Sequence, residues 1–310
     1  MLGTSHVPTS RPTIAPAISR PRAFLKRSVM SLARTACRRW IPGQSVRRTV
    51  VLCYHSIHPT KSFASATPAM FGRHLDWLAA ECDIVPLSRI PEVVDRDERP
   101  RPAVAITFDD GYADNYEFAF PSLQERAFPA TFFLTAGLLE KDPEVLARTQ
   151  MLYGTPADEV RPLEWSEVRA MHAAGMEIGA HTLTHPNLAV LDRAHVREEL
   201  RRSKQIIEDR LGQPIRSMAY PFGKPGRHFT SDTVALVAEA GYEYACAVLF
   251  RAVRSSDSRY AIPRLVATSD SVDQLREKVL GVWDLIGKWQ EKCPLPIARL
   301  VSPEDFSEWA

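Results

Sequence analysis

Val104-Ala105-Ile106-Thr107-Phe108-Asp109-Asp110-Gly111-Tyr112 is the stretch on which the reading of this chain turns. Its first five residues are β-prone without polar alternation, which predicts a strand covered on both faces, as in a parallel sheet. The run leads directly into two adjacent carboxylates and a glycine that lets the chain turn. A helical pattern follows over 115–126, so the unit is strand, turn, helix.

That unit recurs along the chain. Strands are predicted at 49–54, 103–108, 130–134, 176–180, 217–220, 244–249 and 261–265. Helices are clearest at 166–174, stopped by Gly175, and from Asp192, a good N-cap, to Leu211, with Gly212 suited to a left-handed stop. In the latter helix, acidic residues such as Glu199 and Glu208 interleave with basic ones and read as a solvated outer face. No fixed internal period is visible, which excludes a solenoid. About seven strand–helix units close most simply into an α/β fold, a distorted (β/α)7-type, TIM-barrel-like architecture that puts chemistry at the C-terminal strand ends.

Candidate residues sit at such ends. Successive side chains of an extended chain point oppositely, and a turn at the second Asp brings Asp109 and Asp110 to one pocket in different roles. The bland alternative is a turn that caps the next helix. The second constellation is Gly179-Ala180-His181-Thr182-Leu183-Thr184-His185-Pro186, after another predicted strand. Two such histidines face one point if the segment makes one turn-like revolution, and imidazole is a preferred zinc ligand. A histidine pair alone is more often surface decoration. Two histidines with a carboxylate, however, form a recognised three-ligand catalytic zinc set with an open position for substrate.

Thr107-Phe108-Asp109-Asp110-Gly111-Tyr112 with the later His181-Thr182-Leu183-Thr184-His185 resembles the first two motifs of the NodB-homology polysaccharide deacetylases, carbohydrate esterase family 4. The resemblance runs from about Thr49, through Tyr54-His55-Ser56, to Ile262-Pro263-Arg264. It implies Asp109 as general base and Asp110, His181 and His185 as ligands of a divalent metal, zinc first among first-row ions. The family's third motif, Arg-x-Pro-Tyr-Gly, corresponds to Ala219-Tyr220-Pro221-Phe222-Gly223, so the arginine that orients the base and the tyrosine are both replaced. Arg264, at the last predicted strand end, is the candidate replacement for that arginine, and the Phe222 backbone N–H is retained for an oxyanion. No Leu-x-His motif follows His228. The Tyr54-His55 pair resembles that of the permuted poly-N-acetylglucosamine deacetylases and makes His55 the candidate acid. Tyr112, Pro221 and Phe222 are the candidate substrate contacts; either aromatic ring suits stacking on a sugar face, with core packing the default reading for any one of them.

The resemblance therefore implies hydrolysis of an N-acetylated carbohydrate. The alternatives are a metal-retaining carbohydrate-binding barrel without turnover, and a deformylase or deacylase of a lipid-linked sugar. Charge distribution bears on partners. Residues 1–48 hold ten Lys or Arg and no acid, which leaves 29 basic against 37 acidic residues over 49–310, a net −8 that argues against a nucleic-acid groove. Three regions are expected: a basic, disordered extension over 1–48, a barrel over 49–290 and a tail over 291–310. The extension reads as a solvated tail, as sequence upstream of a true start at Met30, or as a tether giving peripheral contact with anionic lipid. It has no apolar run long enough for a signal-peptide core or a membrane span, so a cytoplasmic or membrane-peripheral location is expected. Cys37, Cys53, Cys82, Cys246 and Cys293 show no CxxC spacing and read as reduced structural thiols.

Overall fold

The computed structural model describes residues 48–60, 65–94, 100–153, 161–282 and 284. Most of the basic extension and the C-terminal tail lie outside the described residues. Arg48, counted with the extension, is bound to the barrel region: its guanidinium donates to Asp284 at 2.7 and 2.9 Å and to the Val279 carbonyl at 2.8 Å.

All seven expected strands are present, as β1 (Thr49–Tyr54), β2 (Ala103–Phe108), β3 (Thr131–Leu134), β4 (Glu177–Ala180), β5 (Ser217–Ala219), β6 (Tyr244–Val248) and β7 (Ile262–Val266). Every pairing among them is parallel. Each strand from β2 to β7 pairs with its sequence neighbour, and β1 pairs with both β2 and β7, so the sheet closes. Thr49 through Tyr54 lie opposite Ala103 through Phe108 in unbroken register. Both strands are buried along their whole length, which explains their lack of alternation.

Among the described residues six helices of eight or more residues pack outside: α1 (Pro68–Glu81), α2 (Pro143–Tyr153), α3 (Trp165–Ala173), α4 (Arg193–Leu211), α5 (Ser231–Glu239) and α6 (Val272–Val279). Asp192 caps α4 by accepting from His195 N at 2.9 Å, and Gly212 ends it at φ 68°. The helix expected over 115–126 is instead a π turn, Asn115–Ala119, followed by Phe120–Gln124. Pro121 has no N–H to give the carbonyl four residues back, so the regular ladder cannot run through this segment. Two-residue strands at Ser56–Ile57, Ser65–Ala66 and Asp83–Ile84 were not expected.

Inside the barrel, Val51, Ala105, Phe133, Ala219, Cys246 and Ile262 form one small cluster, joined by Leu87 and Ile90. Ser88 closes the same end by donating to Glu177, the first residue of β4. The opposite end is where Asp109, His181 and Arg264 meet. Among the described residues no helix is long and apolar enough to cross a membrane.

Candidate active site

Asp110 and Gly111 leave β2 at φ 75° and 89°, a left-handed turn that holds both carboxylates at the barrel mouth. Asp109 and Asp110 are both 3% exposed, and His181 is 1% exposed. Asp110 Oδ1 lies 3.6 Å from His181 Nε2 and 3.5 Å from His185 Nε2. Ligand atoms about 2.1 Å from a tetrahedral zinc ion stand roughly 3.4 Å apart, so the trio has the spacing of a metal site.

The orientation of the trio agrees. His181 Nδ1 donates to the Ala219 carbonyl oxygen at 2.9 Å, which leaves Nε2 as the ring nitrogen turned toward Asp110. Burial lowers the His185 pKa to about 4 against the opposing pull of Asp110, which leaves that imidazole neutral near pH 7. The donor set therefore fits a divalent ion, with one carboxylate and two imidazoles converging from two strand ends.

Asp109 is engaged differently. Arg264, fully buried on β7, donates from Nη1 to Oδ1 at 2.6 Å and from Nη2 to Oδ2 at 2.7 Å. Its Nη1 also donates to Thr107 Oγ1 at 3.1 Å, and its guanidinium lies 5.3 Å from the Phe133 ring centre. Burial alone would raise the Asp109 pKa, but Arg264 and then His181 outweigh it and hold the carboxyl well below the usual range. Cys53 Sγ donates to Asp109 Oδ2 at 3.4 Å, and burial keeps that thiol protonated. Cys53, His55 and Asp109 also lie within ligand spacing of one another, but a carboxylate committed to Arg264 and a neutral thiol make a poor donor set. Cys53, Cys82 and Cys246 are free and buried, while Cys37 and Cys293 lie outside the described residues.

His55 follows β1 on the same rim, with Nδ1 3.4 Å from Thr268 Oγ1. Its backbone is held by groups that sequence reasoning missed. Asn115 Nδ2 donates to the His55 carbonyl at 2.8 Å and to Asp114 Oδ1 at 2.8 Å. Asp114 also accepts from Ile57 N at 3.2 Å and from the Ser56 hydroxyl.

Of the three candidate substrate contacts, Phe222 alone is open, 39% exposed at φ 60°, with its ring 4.8 Å from that of His185. Pro221 is buried, and its carbonyl accepts from Gly223 N at 2.7 Å. Tyr112 must be corrected: at 2% exposed it belongs to the outer core and bridges Pro162, so no ring face is available to a sugar. A second correction concerns α4. Glu199 is 9% exposed rather than solvated, and it accepts from the N–H groups of Leu183 and Thr184, both at 2.9 Å, in the loop between the two histidines. Spacing on the helix gave no signal of this, because the partners lie 15 and 16 residues away.

Comparison with known proteins agrees with this geometry. Residues 96–245, which span both motifs, match the family model described as polysaccharide deacetylase. Over 228 residues the chain is 24% identical to YxkH of Bacillus subtilis, covering 73% of this chain and 74% of that protein. Over 230 residues it is 22% identical to the poly-beta-1,6-N-acetyl-D-glucosamine N-deacetylase of Staphylococcus aureus, covering 71% and 72%. The structure of IcaB from Ammonifex degensii superposes with a TM-score of 0.62 at 25% identity, covering 76% of this chain and 98% of that one. On the match over residues 96–245, the curated relatives and the shared barrel together, the chain is similar to the polysaccharide deacetylase family.

Proposed function

We propose that the protein is a metal-dependent hydrolase that removes N-acetyl groups from a polysaccharide or oligosaccharide. The observation that carries this reading is the division of labour between adjacent carboxylates. Asp110 faces two imidazoles at ligand spacing, while Asp109 is bound bidentately to Arg264. One carboxylate is arranged for a metal and the other for a proton.

Asp110, His181 and His185 would hold the ion, zinc first by donor type. When bound, it supplies Lewis-acid polarisation of the acetyl carbonyl and lowers the pKa of water. Asp109 takes the proton of the attacking water on Oδ2, the oxygen that stands 3.9 Å from His181 Nε2, and Arg264 keeps that carboxylate ionised and oriented. His55, whose ring lies near Asp109 on the same rim, returns a proton to the departing amine. The Phe222 backbone N–H serves the oxyanion, and its exposed ring offers a sugar-stacking face. The arginine missing from the third motif is no argument for a binding-only barrel here, since Arg264 gives Asp109 two donors from another strand.

The test is acetate release from a panel of N-acetylated oligosaccharides, poly-N-acetylglucosamine fragments included. Release that stops with chelator and returns with zinc is expected. No release from any member by a zinc-loaded protein would overturn the reading.

A further inference from the structure

The path from His181 to His185 is a costly one for the backbone. Thr182 sits at φ 67° and His185 at φ 55°, in the left-handed region that costs a non-glycine residue roughly 1–2 kcal/mol. Such geometry persists where neighbouring groups overdetermine it. Within the loop, Thr182 Oγ1 accepts from His185 N at 3.1 Å. From outside, Arg148 reaches the Thr184 carbonyl at 3.3 Å from an exposed position.

The Thr182 and Leu183 carbonyls accept from Ala136 N at 3.1 Å and Gly137 N at 2.8 Å, and the loop's N–H groups at Leu183 and Thr184 are held by Glu199 on α4. Its Oε2 accepts from Leu183 N and Thr184 N, both at 2.9 Å, and its Oε1 accepts from Thr184 Oγ1 at 2.7 Å. One carboxylate thus takes three donors from two consecutive residues. Glu199 lies on the inward stripe of α4 with Val196, Leu200 and Ser203, and it has no ion-pair partner among the described residues. A buried carboxylate without a cation costs desolvation free energy unless its hydrogen bonds compensate, and packing alone would be served as well by an apolar side chain.

We infer that Glu199 is a positioning residue of the metal site. It fixes the Thr182–His185 backbone in its left-handed path and so holds His185 Nε2 at 3.5 Å from Asp110 Oδ1. It touches neither ion nor substrate. This inference rests on the proposed metal reading and adds to it a group outside both motifs.

The test is zinc affinity of the full-length metal-free protein, measured by competition with a chromophoric chelator well below each variant's unfolding midpoint. Glu199→Gln keeps the volume but offers one acceptor oxygen in place of two and turns an amide NH2 toward the loop's donors. Roughly 10- to 100-fold weaker zinc binding is expected. Glu208→Gln is the control on the same helix, because Glu208 accepts from Lys204 at 2.7 Å and Ile215 N at 3.0 Å, away from the loop. That variant should lose thermal stability and keep zinc affinity. Should Glu199→Gln not fold, Thr184→Val removes the hydroxyl that donates to Glu199, together with its long 3.4 Å contact from exposed Arg148, and several-fold weaker zinc binding is then expected. Zinc affinity within twofold of wild type in the folded Glu199 or Thr184 variant would overturn the inference and reduce Glu199 to a stability tie. A wild-type protein that binds zinc no better than His181→Ala overturns both readings. Wild-type zinc binding without acetate release, with the Glu199 effect present, overturns the deacetylase reading alone.

Discussion

Arg264 and Asp109 form a bidentate ion pair inside the barrel, 2.6 and 2.7 Å long, between the last strand and the end of the second. The pair is fully enclosed: the arginine is 0% exposed and the aspartate 3%. In such a place neither charge is tolerated without the other, because desolvation would cost several kcal/mol per ion. The two parallel hydrogen bonds of the fork fix the plane of the Asp109 carboxylate and so the direction in which it meets a proton.

Arg264→Met should therefore destabilise the fold by about 3–5 kcal/mol, the usual cost of leaving a buried charge unpaired. Arg264→Lys keeps the charge but not the fork, so its loss should be smaller while the fall in turnover stays large, roughly 100-fold. Denaturant unfolding and acetate release measure the two. Equal stability of wild type and Arg264→Met would show the pair contributes nothing to folding.

Asp109→Asn and His181→Ala should separate chemistry from metal binding. The first keeps Asp110, His181 and His185, so zinc content should be unchanged while turnover falls by roughly 10²- to 10⁴-fold, the range for losing a general base. The second removes a ligand and should lose zinc and activity together. Zinc stoichiometry with single-turnover assays decides, and a His181→Ala protein with full zinc content would remove that residue from the ligand set.

The metal-free protein should carry a pH signature from His185. Burial lowers its folded pKa to about 4, below the unfolded value near 6.5. As pH falls through this window the unfolded chain takes up a proton that the folded state resists, so stability is full above about 6.5 and is lost toward about 4. A melting-temperature profile with chelator should fall across that interval, and His185→Gln should flatten it. Zinc should move the fall to lower pH, since ion and proton compete for the same nitrogen. Parallel profiles for wild type and variant would remove His185 as the source.

Legibility in the sequence followed how local each feature is. The barrel strands are apolar runs because both faces are covered, so β1 and β2 were readable with their exact ends. Asp109, Asp110, His181 and His185 lie in short motifs at strand ends, where spacing carries the signal. The two-residue strands are too short to carry a pattern, and Pro121 changed the helical ladder over 115–119 without altering its apolar spacing. Glu199 read as one charge among many on a salt-laced helix, Asn115 read as the start of the next helix, and Asp114 carried no signal of its own. Their partners are set by tertiary contacts with Thr184, Ser56 and His55, which periodicity along one element cannot register.

Gly179 should be as intolerant of substitution as the charged residues, for a steric reason. A Cβ there would lie 2.6 and 2.7 Å from Phe133 ring carbons and 2.7 Å from Ser217 Oγ. Gly179 is not one of the positive-φ glycines, so the cost is crowding rather than backbone strain. Gly179→Ala is expected to destabilise by about 1–3 kcal/mol, the range for overpacking a filled core. It should also lower turnover, because the ring it displaces is the one that supports the Arg264 guanidinium from 5.3 Å. Adding Phe133→Leu relieves the crowding, so the double variant should be more stable than the sum of the two single losses predicts. Turnover should not recover with it, since the aromatic face beneath Arg264 is then gone. Recovery of both stability and turnover in the double variant would show that the Phe133 ring fills space without orienting the arginine.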